Sequence, residues 1–74
     1  MDKLRSCQIL MFFQSGKEIQ EGFLKKHASE NEIKELLDLR YIQHSGFIEG
    51  NPVFKERLFS ITKLGTEARD QKIN

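Results

Sequence analysis

The side chains able to do chemistry in this 74-residue chain are few: one thiol (Cys7), two imidazoles (His27 and His44), and hydroxyls such as Ser45 and Ser60. Covalent catalysis needs a nucleophile held beside a base that a third group orients. Neither histidine has such a setting, since His27 falls at a helix end and His44 in mid-strand. One cysteine with two distant histidines supplies neither a disulfide nor a structural zinc site. Glu32 and Glu35 read as exposed helix carboxylates, and Gly46 and Gly50 punctuate a hairpin rather than cradle a phosphate. An enzyme is therefore not expected, and neither is a cofactor or a metal. What remains is charge. Two groups of cations, Lys25-Lys26-His27 and Lys55 with Arg57, have the chemistry to hold phosphates. Their ordinary roles weigh equally: lysines complement the C-terminal end of a helix dipole, and charges on an edge strand discourage edge-to-edge pairing.

Composition narrows the partner only a little. Twelve Lys/Arg stand against eleven Asp/Glu for a net charge of +1, with 38% hydrophobic and 31% charged residues and six Phe without Trp. This is the profile of one ordered globular domain, too short for a second. A chain of this size buries only about 60% of its unfolded surface, so association with a second copy would add welcome burial. The longest apolar run, Ile9 to Phe13, is far short of the roughly 20 residues needed to cross a bilayer, and a cytoplasmic protein without a membrane partner is expected.

The elements that must position these charges follow from periodicity. Leu4, Cys7, Ile9, Leu10, Met11, Phe12 and Phe13 start at helical spacing and become apolar all round, predicting a first helix from Lys3 to Gln14 that ends at Ser15-Gly16. Such a helix needs two covers, the core on one side and a partner subunit on the other, with Met11 or Phe12 as the dimer contact. A second helix is predicted over Lys17 to His27, with Ile19, Phe23 and Leu24 inward. Ser29 then makes an N-cap with Glu32 three residues on, and Ile33, Leu36, Leu37 and Arg40 form the inner stripe of a third helix. Beyond Leu39 the period drops towards two. A turn at Gly50 to Val53 would pair Glu49 with Phe54, Ile48 with Lys55, His44 with Phe59 and Ile42 with Ile61, placing Ile42, Phe59 and Ile61 on one face. Thr62 caps a last helix from about Lys63 to Lys72, with Leu64, Ala68 and Ile73 on one side. The fold class is α+β, mostly α: three helices, a hairpin and a short C-terminal helix.

The segments Leu36-Leu37-Asp38-Leu39-Arg40-Tyr41-Ile42 and Phe59-Ser60-Ile61-Thr62-Lys63-Leu64-Gly65 resemble the frame of winged-helix regulators of the MarR and PadR families and of small phage-associated YjcQ-like proteins. That resemblance covers about the last 45 residues, and the first 28 match in helix order alone. It implies a DNA-binding transcriptional regulator, a homodimer, with the third helix in the major groove and the hairpin wing near the backbone. On it, Ser29, Asn31 and Lys34 address the groove while Lys25, Lys26, Lys55 and Arg57 hold phosphates.

The residues themselves temper that expectation. Glu30, Asn31, Lys34, Glu35 and Asp38, the outward positions of the third helix, carry a net charge of −2, which opposes a phosphate backbone. A winged-helix module that binds a Lys/Arg-rich protein surface through Glu30, Glu35 and Asp38 is the alternative. A continuous basic strip through Lys25, Lys26, Lys55 and Arg57 favours DNA, and a broken one favours protein. Phe47 and Phe54, far out on the hairpin, either pack on each other or anchor a partner.

Overall fold

The computed structural model describes residues 2–51 and 54–70, and the side chains of 49–51, 54 and 55 lie outside the description. The chain is an α+β fold: α1 (Lys3–Leu10), β1 (Glu18–Gln20), α2 (Glu21–Lys25), α3 (Glu30–Asp38), β2 (Ile42–Asn51), β3 (Phe54–Ile61) and α4 (Lys63–Asp70). The three strands form one antiparallel sheet in the order β1-β3-β2. Its inner face and the helices enclose a core of Ile9, Leu10, Phe13, Leu24, Ala28, Ile33, Leu36, Ile42, Phe59 and Ile61.

The first helix is shorter than the apolar run suggests. Asp2 caps it by accepting from the Arg5 amide at 2.7 Å. After Leu10 the chain tightens, with Phe12 and Phe13 donating to the carbonyls three residues back, Ile9 and Leu10. Ile9, Leu10 and Phe13 still reach the core, and the Arg69 guanidinium closes this end by donating to the Phe13 carbonyl at 2.9 Å. Met11 and Phe12 therefore lie in a turn rather than on a helix face. The Cys7 thiol sits half-buried between α1 and α4, donating to the Ala68 carbonyl at 3.3 Å.

The predicted second helix is half strand. Glu18-Ile19-Gln20 adds to the sheet with Ile19 opposite Phe59, and only Glu21–Lys25 is helical. Three alternating residues are too short a run to compete, in sequence, with the helical spacing of Ile19, Phe23 and Leu24. Pairing β1 to β3 makes β3 central, which is why Phe59 is fully buried.

The hairpin begins in the expected register, Ile42 with Ile61 and His44 with Phe59, and then slips twice. A bulge between His44 and Gly46 accommodates Ser45, so Ile48 pairs with Glu56 and Glu49 with Lys55. A second irregularity between Glu49 and Asn51 leaves Asn51 opposite Phe54, and residues 52 and 53 of the expected turn lie outside the described residues. Gly46 has φ of 152°, a conformation that suits glycine at a bulge.

At the end of α3, Arg40 leaves the inner stripe assigned to it. It is exposed at φ 63°, with its amide donating to Leu37 and the Tyr41 amide donating to Leu36. This is a Schellman closure, whose left-handed position usually holds glycine. Thr62 then caps α4 by accepting from the Gly65 amide at 3.0 Å, and its hydroxyl donates to the Arg40 carbonyl at 2.6 Å. Gly65, not Leu64, faces inward: it is buried against the Tyr41 carbonyl, while Leu64 is exposed. Ile73 lies outside the described residues.

Candidate nucleic-acid interface

The third helix is fixed from both sides of its N-terminus. The Glu32 amide donates to Ser29 Oγ at 3.2 Å and the Ser29 amide donates back to Glu32 Oε1 at 3.0 Å, the reciprocal box read from the sequence. Glu32 is also gripped by Arg5, through Nε at 2.6 Å and Nη2 at 3.0 Å, and the same Nη2 donates to the His27 carbonyl at 2.9 Å. One guanidinium thus ties α1 to the loop joining α2 and α3. The Arg5 hydrogen bonds, aided by the Ser29 amide, hold the Glu32 carboxyl at about 2 against an ordinary 4.5.

The hairpin is fastened to α2 by two neighbouring residues of opposite charge. Gln20 offers no side-chain cap, and Glu56 reaches from β3 to accept from the Gly22 amide at 2.6 Å, serving as the cap instead. Arg57 turns to Glu21, donating from Nε at 2.9 Å and more closely from Nη2 to the same carboxylate oxygen. Its guanidinium carbon also lies 5.2 Å from the centre of the Phe59 ring. The Arg57 bond holds the Glu21 carboxyl below its usual range and raises the Arg57 guanidinium. Lys25 completes the group, with Nζ 3.6 Å from Glu21 and 3.3 Å from Glu30.

Asn31, Lys34 and Arg57 line one cleft with Glu30, Ile33 and Leu37, so the outward side of α3 and the hairpin do meet. Lys25 adjoins that cleft through its pair with Glu30. Ser29 is engaged in capping, while Lys26 and Lys34 are exposed and make no ion pair among the described residues. The Lys55 backbone is on β3 and its side chain lies outside the described residues. The expected basic strip is broken at Arg57, which Glu21 occupies, and diluted at Lys25, which is shared between two carboxylates. On α3 itself, Glu30, Asn31, Lys34 and Asp38 are exposed and Glu35 is half-buried.

The two dimer candidates are separate from this cleft. Met11 is 71% exposed, whereas Phe12 stacks on His27 with centroids 4.3 Å apart and meets Phe23 edge-on at 6.0 Å. Phe47 is exposed, opposite Arg57 in register, and the Phe54 side chain lies outside the described residues. His44 is exposed with its ring 5.1 Å from Phe59.

Arg5, Glu21 and Glu56 are the positioning residues that sequence reasoning missed. Each acts on a partner 27 to 36 positions away, and a one-dimensional pattern carries no trace of such a pairing. Among the described residues no three His, Cys, Asp or Glu side chains converge as a metal site, and no helix is long and apolar enough to cross a membrane. No family model, no curated protein and no solved structure matches this chain.

Proposed function

We propose that this chain is a winged-helix domain that binds duplex DNA as a transcriptional regulator and does no covalent chemistry. The element order, with a strand between the first two helices and a hairpin after the third, supports the architecture. The observation that carries the functional reading is the shared cleft of Asn31 and Lys34 on α3 with Arg57 on the hairpin, the place where such a domain meets a groove and its backbone.

The ion pairs decide which cations serve. An exposed pair such as Lys25 with Glu30, whose side chain is 79% exposed, contributes about 0–1 kcal/mol, so a phosphate displaces Glu30 at little cost. Arg57 is different: its two hydrogen bonds to the more sheltered Glu21 fasten the hairpin to α2, and we assign it to positioning. Phosphate contact then falls to Lys25, Lys26 and Lys34, with Asn31 facing the bases. A homodimer through Met11 completes the proposal, since that side chain is the most exposed large apolar group among the described residues.

A second reading, a module for a basic protein surface, is favoured by the loss of Arg57 from the strip and by the exposed carboxylates of Glu30 and Asp38. Glu30→Gln separates the two. It removes a carboxylate from the cleft and releases Lys25, so affinity for random-sequence duplex in a fluorescence-anisotropy titration should rise about threefold or more, an electrostatic gain of under ~1 kcal/mol. Absent duplex binding contradicts the DNA reading, and unchanged affinity removes this cleft from it; charge reversal at Glu35 and Asp38 then tests the protein one.

A further inference from the structure

A second surface lies on the other side of the α3 terminus. Leu37, Ile42 and Leu64 floor an open apolar groove of about 560 Å³ between the end of α3, the start of β2 and the start of α4. Arg40 and Lys63 stand at its rim with His44, and among the described residues no carboxylate lines it. Neither Arg40 nor Lys63 has an ion-pair partner among the described residues, in contrast to Arg5, Lys25, Arg57 and Arg69, all of which do.

Two further observations bear on what fits there. Residues 42 to 44 line the groove consecutively, although alternate side chains of a strand point to opposite faces. The groove therefore runs along the edge of β2, the outer strand of the sheet, whose far side has no strand partner among the described residues. Arg40 also holds a left-handed backbone at φ 63°, where glycine would close the helix without a Cβ penalty. A non-glycine residue held at that cost beside an open groove directs attention to its side chain.

We propose that this groove binds an extended segment of a partner protein that carries both apolar side chains and carboxylates. The segment adds along the β2 edge, its apolar residues cover Leu37 and Leu64, and its carboxylates meet Arg40 and Lys63. The charge of the rim selects an acidic occupant and excludes a basic one. The groove shares Leu37 with the cleft on the other side of α3, and its remaining lining residues are its own.

The probe is a displayed library of random nonapeptides selected on the folded full chain, followed by titration of a fluorescein-labelled recovered peptide. Recovered sequences should combine Leu, Ile, Val or Phe with Asp or Glu. Their affinity should fall about tenfold in Lys63→Glu and in Arg40→Gly, and amide shifts should concentrate at 42–44 and 64. Arg40→Gly guards against loss of fold as the cause, because relief of the left-handed strain should raise its melting temperature while the peptide affinity falls. Recovery of no peptide, recovery of basic peptides, or unchanged affinity in Lys63→Glu overturns the proposal. So does a wild-type dimer in light scattering that Leu64→Glu dissolves, which would make a second copy the occupant, or a loss of duplex affinity in Lys63→Glu with no peptide recovered.

Discussion

Arginines placed by tertiary structure govern this chain more than its isolated motifs do. Arg57 was expected to hold phosphate as part of the wing, yet its guanidinium spans Glu21 and the Phe59 ring. Arg57→Ala should therefore lower the melting temperature, leaving the partly sheltered Glu21 with only the more distant Lys25, and should leave the salt dependence of duplex binding unchanged. Thermal unfolding and anisotropy on the same variant check both halves, and a flattened salt dependence with intact stability would return Arg57 to phosphate contact. Glu32 supplies the pH prediction. Its carboxyl is held at about 2 in the folded chain, below the ordinary 4.5, so the stabilisation is complete above the ordinary value and is lost as pH falls through the folded one. Thermal melts between pH 6 and pH 2 should show a decline that Glu32→Gln flattens over the range below about 4.5. The capping role of Glu32 was legible from its spacing to Ser29, whereas its grip by Arg5 was not, because that residue is 27 positions away on another helix.

At the scale of elements, the junction of α3, β2 and α4 is the least forgiving part of the fold. A methyl group on Gly65 would overlap the Tyr41 carbonyl oxygen, and backbone cannot step aside as a flexible side chain can. Gly65→Ala should destabilise by about 3 kcal/mol, read as a shift in the denaturation midpoint, and a change within experimental error would show that α4 is free to move off Tyr41. The same junction explains what could be read beforehand. Ser29 with Glu32, and Thr62 ahead of α4, are local chemical signals that act within three residues, and both helices begin where those signals place them. The inner hairpin residues Ile42, Phe59 and Ile61 were legible through their alternation, and all three are buried. The rest depended on pairings with no local mark. Strand β1 is too short to display a period, and the bulge at Ser45 shifts the pairs from Gly46 to Glu49 by one residue. Leu64 looked inward by its apolar character, but only a residue without a Cβ fits against Tyr41, so α4 turns Gly65 in and Leu64 out.

For the whole molecule, two faces of different chemistry flank one helix. The N-terminal half of α3 with the hairpin carries mixed charge around Asn31 and Lys34, and its C-terminal end opens onto an apolar groove rimmed by Arg40 and Lys63. A net charge of +1 gives no long-range field to draw the chain to nucleic acid, so any duplex affinity must come from a small number of local contacts. On the proposed reading, Lys25, Lys26 and Lys34 supply those contacts with Arg57 held aside. The most direct measurement is the salt dependence of binding to a random-sequence duplex by fluorescence anisotropy. Three phosphate contacts per chain predict a slope of log K against log[salt] of about −3 for each chain bound, about twice that for a dimer binding as one unit, and replacing Lys34 by Ala lowers the per-chain slope to about −2. A slope near zero, or no binding at micromolar protein and low salt, would contradict the account.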